Sequence, residues 1–168
     1  LLVAQLRHLS AGDITETSVQ SCNFLSHRGN NTSFGQHSLL DYGDTCVSFG
    51  TAWKSKRLTA AFLYHNDVEH LENQIRHWEA LDANTRHALL FLIIDDGSQE
   101  QDALHVIDRV STCIMDIRLI RSKEDIPWNI GRARNLALLT APTKYVFVAD
   151  IDIHASDKLF ENVLGLLD

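Results

Sequence analysis

An Asp-Ile-Asp triplet, Asp150-Ile151-Asp152, follows the wholly apolar run Tyr145 to Ala149. Asp is disfavoured inside strands, and a carboxylate is costly to bury unpaired. In extended backbone alternate side chains share a side, so Asp150 and Asp152 would point the same way. They could share a divalent cation, or one could hold the metal while the other takes a hydroxyl. Hard oxygen donors suit Mg²⁺ or Mn²⁺, ions that keep waters and bind substrate phosphates. His154 joins the same side if the strand persists, and an imidazole there would favour Mn²⁺. The competing reading is a solvated turn, which the apolar run ahead of the triplet argues against.

Asp95-Asp96-Gly97-Ser98 closes a second apolar run, the seven residues Ala88 to Ile94. A turn with Gly at positive φ and Ser capping the next helix accounts for Gly97 and Ser98. It leaves two carboxylates unexplained, and a carboxylate at a strand end can accept from a base N–H or a ribose hydroxyl. A third segment, Asn129-Ile130-Gly131-Arg132-Ala133-Arg134-Asn135, places two Arg at a helix start. The macrodipole disfavours cations there. A bound anion would offset this, because helix N-termini and Arg forks both suit phosphate; a solvent-facing Arg pair is the alternative.

The elements that hold these segments follow from periodicity. Leu58 to Leu63 is a short apolar run suited to a buried strand, and Asn66 stands three residues before Glu69 as in a capping box. Val68, Leu71, Ile75, Trp78 and Leu81 make one helix face. Ala88 to Ile94 reads as a strand buried on both sides, as in a parallel sheet covered by helices. Leu104, Ile107 and Val110 mark a second helix, Ile114 to Ile120 a third strand, and Ile130 to Leu139 a third helix. Tyr145 to Ala149 is a fourth strand, and Ser156 or Asp157 caps a last helix through Leu167. This β-α alternation predicts an α/β fold, a Rossmann-like, mostly parallel sheet with helices on both faces and right-handed crossovers. In such sheets ligands bind beyond the carboxyl ends of the strands. The rule selects Tyr64-His65-Asn66, Asp95-Asp96-Gly97-Ser98 and Asp150-Ile151-Asp152.

The 168 residues allow one ordinary domain. Hydrophobic residues are 45% and charged residues 22%, which excludes wholesale disorder. A net charge of −7 argues against gripping nucleic acid by general electrostatics. No apolar stretch is long enough to span a bilayer. Cys22, Cys46 and Cys113 fit no zinc spacing and no disulfide framework, although Cys22 and Cys46 could pair in an oxidising compartment. Residues 1–56 read as a loop-rich N-terminal extension with one or two short strands near Cys46 to Phe49. Two overlapping glycosylation sequons fall at Asn30 to Ser33. Lys54, Lys56 and Arg57 form a small basic cluster expected in a solvated linker, and residues 57–168 are the α/β domain proper. The chain opens without Met and stops inside a helical pattern, so it reads as truncated at the C-terminus.

In order, these segments resemble the nucleotide-binding half of a family 2 glycosyltransferase of the GT-A fold. The matches are Tyr64-His65-Asn66, Asp95-Asp96-Gly97-Ser98, Gly131-Arg132-Ala133-Arg134-Asn135 and Asp150-Ile151-Asp152, over roughly residues 57 to 165. The resemblance implies metal-dependent transfer of a sugar from a nucleoside-diphosphate sugar, UDP-sugar first, to a saccharide or other hydroxyl acceptor, with inversion. It implies that Tyr64, His65 and Asn66 lie beside the base or ribose and that Asp95 or Asp96 bonds the base or ribose. Arg134 would approach base or diphosphate. Asp150 would meet ribose or metal, and Asp152 would be the more direct ligand of Mn²⁺ or Mg²⁺. The departures are Leu63-Tyr64-His65 in place of Pro or Thr in the first segment, a compressed glycine spacing before Ala133, and the insert Ile126-Pro127-Trp128. In that family the general base and the acceptor groove follow the Asp-x-Asp segment, which places the base beyond residue 168.

Three other classes compete. A nucleotidyltransferase would want a Gly-rich phosphate loop after the first strand, where Tyr64-His65-Asn66-Asp67 has none. A phospho-acceptor receiver domain needs its acidic pair after the first strand, and here it follows the second. A degenerate or incomplete nucleotide-binding domain without turnover would keep the fold alone. Cytoplasm and secretory lumen are both compatible with the sequence.

Overall fold

The structure is a computed structural model that describes residues 55–111, 114–122 and 129–167 with their side chains, and the strand at 45–49. Its elements are β1 (Thr45–Phe49), β2 (Leu58–Tyr64), α1 (Val68–Ala80), α2 (Ala83–Ala88), β3 (Leu89–Asp95), α3 (Ala103–Val110), β4 (Ile117–Arg121), α4 (Ile130–Thr140), β5 (Tyr145–Asp150) and α5 (Asp157–Gly165). The sheet order is β1-β4-β3-β2-β5. Strands β4, β3, β2 and β5 are mutually parallel, and β1 joins β4 antiparallel, Val47 opposite Leu119. This is the α/β, Rossmann-like arrangement that the alternation predicts. The short strand foreseen near Cys46 is β1, and it is an edge of the same sheet.

Alternation along the strands builds two cores. Leu58, Ala60, Phe62 and Tyr64 of β2 and Leu89, Phe91 and Ile93 of β3 face α1, α3 and α5. Ala61, Leu63, Leu92, Ile94 and Ile120 face α4 through Ala133, Leu136 and Ala137. Every residue of β2 and β3 is buried, which is why both read as mostly apolar runs, broken in β2 by Thr59, rather than as alternating ones. The larger core centres on Trp78, whose ring stacks on Phe91 at 4.7 Å and meets Phe62 at 4.8 Å. Burial of each such side chain contributes roughly 1.5–3 kcal/mol.

Several local expectations shift. The cap of α1 is Asp67, which accepts from the His70 N–H, and not Asn66. Residues 83–88 form a short helix capped by Asp82, so β3 begins at Leu89. The third parallel strand starts at Ile117, and Ile114 lies 52% exposed before it. Of the two candidates Ser156 caps α5, accepting from the Leu159 N–H at 3.2 Å. The described part of the basic cluster, Lys56 and Arg57, is tied into the fold and is not a solvated linker. Lys56 is buried, ion-paired with Asp116, and donates to the His87 carbonyl at 2.8 Å. Arg57 donates to the Leu164 carbonyl at 2.8 Å, tying the start of β2 to the end of α5. Lys54, the sequons, Cys22, Cys113 and Trp128 lie outside the described residues.

Candidate functional site

The sheet's strand order reverses between β2 and β5, and the parallel strands all present their carboxyl ends along one edge. Alternation divides that edge into two sides. Tyr64, Asp95 and Arg121 belong to the side of α1 and α3, while Asp96, Ser122 and Asp150 belong to the side of α4.

On the first side the polar groups are spent on the fold. Asp95 is fully buried, and its carboxylate accepts from the Ser98 N–H at 2.9 Å and the Ala103 N–H at 3.2 Å. Burial pushes its pKa up, against the pull of those donors and of Arg121, whose Nε stands 3.8 Å away. Arg121 also pairs with Asp102, the α3 cap, and donates to the Ser98 carbonyl at 3.0 Å. Gly97 turns this loop at φ 81°, a conformation that favours glycine. Tyr64 points into the core, and its hydroxyl donates to the Gln101 carbonyl at 2.5 Å. Burial and the nearby carboxylates of Asp95, Asp67 and Asp102 raise its pKa. Asn66 adopts φ 49°, and its Oδ1 accepts from the Glu100 and Gln101 N–H groups at 3.3 and 3.2 Å. Its own N–H donates to Ser98 Oγ at 2.9 Å, so Asn66 latches the loop after β2 to the loop after β3. Of the first segment only His65 is exposed, with Nδ1 3.0 Å from the Asp96 carbonyl.

On the α4 side charges are brought together, Asp96 buried, Arg132 partly exposed, and Arg134 and Asp150 about half exposed. Asn129 caps α4, accepting from the Arg132 N–H at 3.2 Å. The Arg132 guanidinium bonds Ser122 Oγ and lies 3.9 Å from the Asp96 carboxylate. Arg134 lies 3.6 Å from the Asp150 carboxylate, with both side chains about half exposed. The two arginines at the helix start therefore face strand-end carboxylates, which offset the macrodipole. A Cβ on Gly131 would meet nothing within 4 Å, so packing does not demand glycine in this first turn.

The Asp-x-Asp segment differs from its expected geometry. β5 stops at Asp150, and a turn follows in which the Ile153 N–H donates to the Asp150 carbonyl at 3.1 Å. Strand alternation therefore does not extend to Asp152 and His154. Ile151 turns into the α1-side core, and Asp152 is exposed, near enough to His70 to help raise that imidazole's pKa behind the larger effect of Asp67. His154 packs on His77, ring centres 5.4 Å apart. Among the described residues no three His, Cys, Asp or Glu side chains gather as a ready cation site. Asp150 and Asp152 still fit a divalent cation as hard, exposed oxygen donors, since such ions complete their shell with water and substrate phosphate. His154 is placed with His77 instead.

A residue that the motifs do not mark holds this turn. Gln74 on α1 is fully buried and donates from Nε2 to the Ile151 carbonyl at 2.8 Å and the Ile153 carbonyl at 2.6 Å. His77, one turn on, bonds the Ala155 carbonyl at 2.8 Å. The available signal was a polar residue on the apolar stripe Leu71-Ile75-Trp78. A shallow depression of about 390 Å³ opens nearby between Asn66, Asp67, Val68, Glu69, Glu72 and Gln101. Its acidic lining is unsuited to a diphosphate.

Fold and site thus define a Rossmann-like α/β protein with arginines and carboxylates at the edge where such sheets take ligands. The chain belongs to a glycosyltransferase family: residues 37–168, more than three quarters of it, match the family described as glycosyl-transferase for dystroglycan. The resemblance to family 2 holds at the level of glycosyltransferase, and the family matched is the dystroglycan one. No curated protein matches the chain. No helix among the described residues is long and apolar enough to cross a membrane.

Proposed function

We propose that the α4 side of the carboxyl edge binds the donor of a sugar transfer, a nucleoside-diphosphate sugar with UDP-sugar as the first candidate. The observation that carries this reading is the convergence of Asp96, Arg132, Arg134 and Asp150 at one helix start and two strand ends. Arg134 would leave Asp150 for a diphosphate oxygen, a bidentate partner for its planar fork. Arg132 would add a second positive charge beside the phosphates. Asp96, with His65 beside its backbone, would accept from the base or ribose. Asp150 and Asp152 would hold Mn²⁺ or Mg²⁺, which as a Lewis acid offsets charge on the departing diphosphate. The acceptor is a hydroxyl, and the family's description, glycosyl-transferase for dystroglycan, makes dystroglycan the first acceptor to try. Inversion at the transferred carbon completes the reading carried by the family 2 resemblance.

Titration calorimetry of uridine diphosphate, first with Mn²⁺ and then with EDTA, tests it. Binding is expected with the metal and is lost with the chelator. Asp150→Asn and Asp152→Asn should each abolish the metal-dependent part while leaving thermal unfolding unchanged. Undiminished binding in both variants would place the donor elsewhere.

A further inference from the structure

The turn that carries Asp152 has little local structure of its own. Two backbone bonds hold it, from the Ile151 N–H to the Leu63 carbonyl and from the Ile153 N–H to the Asp150 carbonyl, both at 3.1 Å, and the side-chain bonds to the carbonyls of 151–155 come from α1. The Gln74 amide has two N–H groups, and they go to the two carbonyls that flank Asp152, those of Ile151 and Ile153. The opposite amide orientation would set Oε1 against two carbonyl oxygens, so the donors must face the turn. The other end of the amide is left with a cost. Gln74 Oε1 is buried and has no hydrogen-bond partner among the described residues. Its neighbours on the stripe, Leu71, Ile75 and Trp78, are apolar and fully buried. An apolar side chain at 74 would remove that acceptor but would take these donors from the Ile151 and Ile153 carbonyls. A core-facing polar residue that gives up one of its own bonds to make two others is better explained by what it holds than by core stability.

We propose that Gln74 is a positioning residue for the donor site: it fixes the backbone on both sides of Asp152 and so aims that carboxylate. The inference rests on Asp152 being a donor-site ligand, as in the proposed function. His77 extends the same clamp by one turn, through the Ala155 carbonyl. The main chain of the turn would then be set before any ligand arrives, which lowers the ordering cost of binding.

The test compares Gln74→Met with Asp152→Asn in the full protein. Met keeps the length and volume of Gln and removes both donors. Three quantities are read: Mn²⁺ affinity by calorimetry without donor, hydrogen exchange of the amides at 152–155, and the unfolding midpoint. Gln74→Met should weaken Mn²⁺ binding roughly tenfold, as loss of a supporting partner does at metal sites. Exchange at 152–155 should accelerate, and the midpoint reports the separate cost of taking these donors from two carbonyls. A purely structural Gln74 would leave Mn²⁺ affinity unchanged whatever the midpoint does, and that result overturns the proposal. If the Met variant does not fold, Gln74→Asn, which keeps the amide but falls one methylene short, carries the same expectations and the same refutation. Wild-type Mn²⁺ affinity in Asp152→Asn would overturn the donor site itself, and this inference with it. Loss in Asp152→Asn without loss at Gln74 would overturn only the positioning role.

Discussion

The Asp95 carboxylate receives the N–H groups of Ser98 and Ala103 in a fully buried position, and burial raises its pKa from 3.8. A raised folded-state pKa means that the native state binds the proton more tightly than the unfolded chain. The stability this adds is complete below about 3.8 and is lost as pH rises through the higher folded value. Asp95→Asn stays neutral throughout, so the difference in denaturation midpoint between wild type and variant should change across that window and level off above it. Parallel profiles would mean that Asp95 carries no such shift. Asp96, its neighbour, lies on the opposite side of the sheet with Arg132. Arg134 stands on the same side but is half exposed, and its pairing with Asp150 at the surface contributes about 0–1 kcal/mol at most to the fold. Arg134→Ala should therefore leave the unfolding midpoint nearly unchanged. Its affinity for uridine diphosphate should fall by about tenfold or more, the worth of a hydrogen bond to a charged group. Calorimetry on the same sample as the unfolding scan separates the two effects.

Among the elements, the strands were the most legible. Leu89 to Ile94 is apolar because β3, like β2, is buried along its whole length between helices on both faces. The helix starts were less so. Asn66 and Asp67 are both good capping types, and the spacing to Glu69 favours Asn66. The structure gives the cap to Asp67 because Asn66 accepts instead from backbone N–H groups more than thirty residues away. Nothing local encodes that competition. The turn after β5 was misread for a related reason. Alternation placed Asp150, Asp152 and His154 on one side, but β5 ends at Asp150, and Gln74 and His77 pull the following carbonyls toward α1. α1 therefore has two tasks, packing and holding this turn, and they are separable by substitution. Trp78 serves packing: it touches Phe62 and Phe91 and lies away from the polar edge. Trp78→Ala should cost about 3–5 kcal/mol by chemical denaturation. A loss below about 1 kcal/mol would show that the core closes over the vacancy.

For the molecule as a whole, the consequential strand is the one least visible in the sequence. Reading the α/β alternation alone starts the domain at residue 57, whereas β1 pairs with β4 along its whole length and the family match begins at residue 37. Without β1, β4 would be an edge strand of sequence Ile117-Arg118-Leu119-Ile120-Arg121, a short apolar segment with unpaired backbone groups. The cut would also remove Lys56, whose buried ammonium pairs with Asp116 and reaches the His87 carbonyl. Opening such a pair by removing one partner costs about 3 kcal/mol or more, and each ladder bond lost adds roughly 1 kcal/mol. A chain of residues 57–168 should therefore unfold at a clearly lower denaturant midpoint than one of residues 37–168, and it should aggregate as concentration rises. Restoring Lys56 alone, in a chain of residues 55–168, should recover the ion pair's share and leave the aggregation. Equal midpoints for the two lengths would make β1 a passenger on a sheet that is complete without it. The predicted loss instead makes β1 part of the sheet that positions Arg121 and Ser122, and through Ser122 the donor-side Arg132.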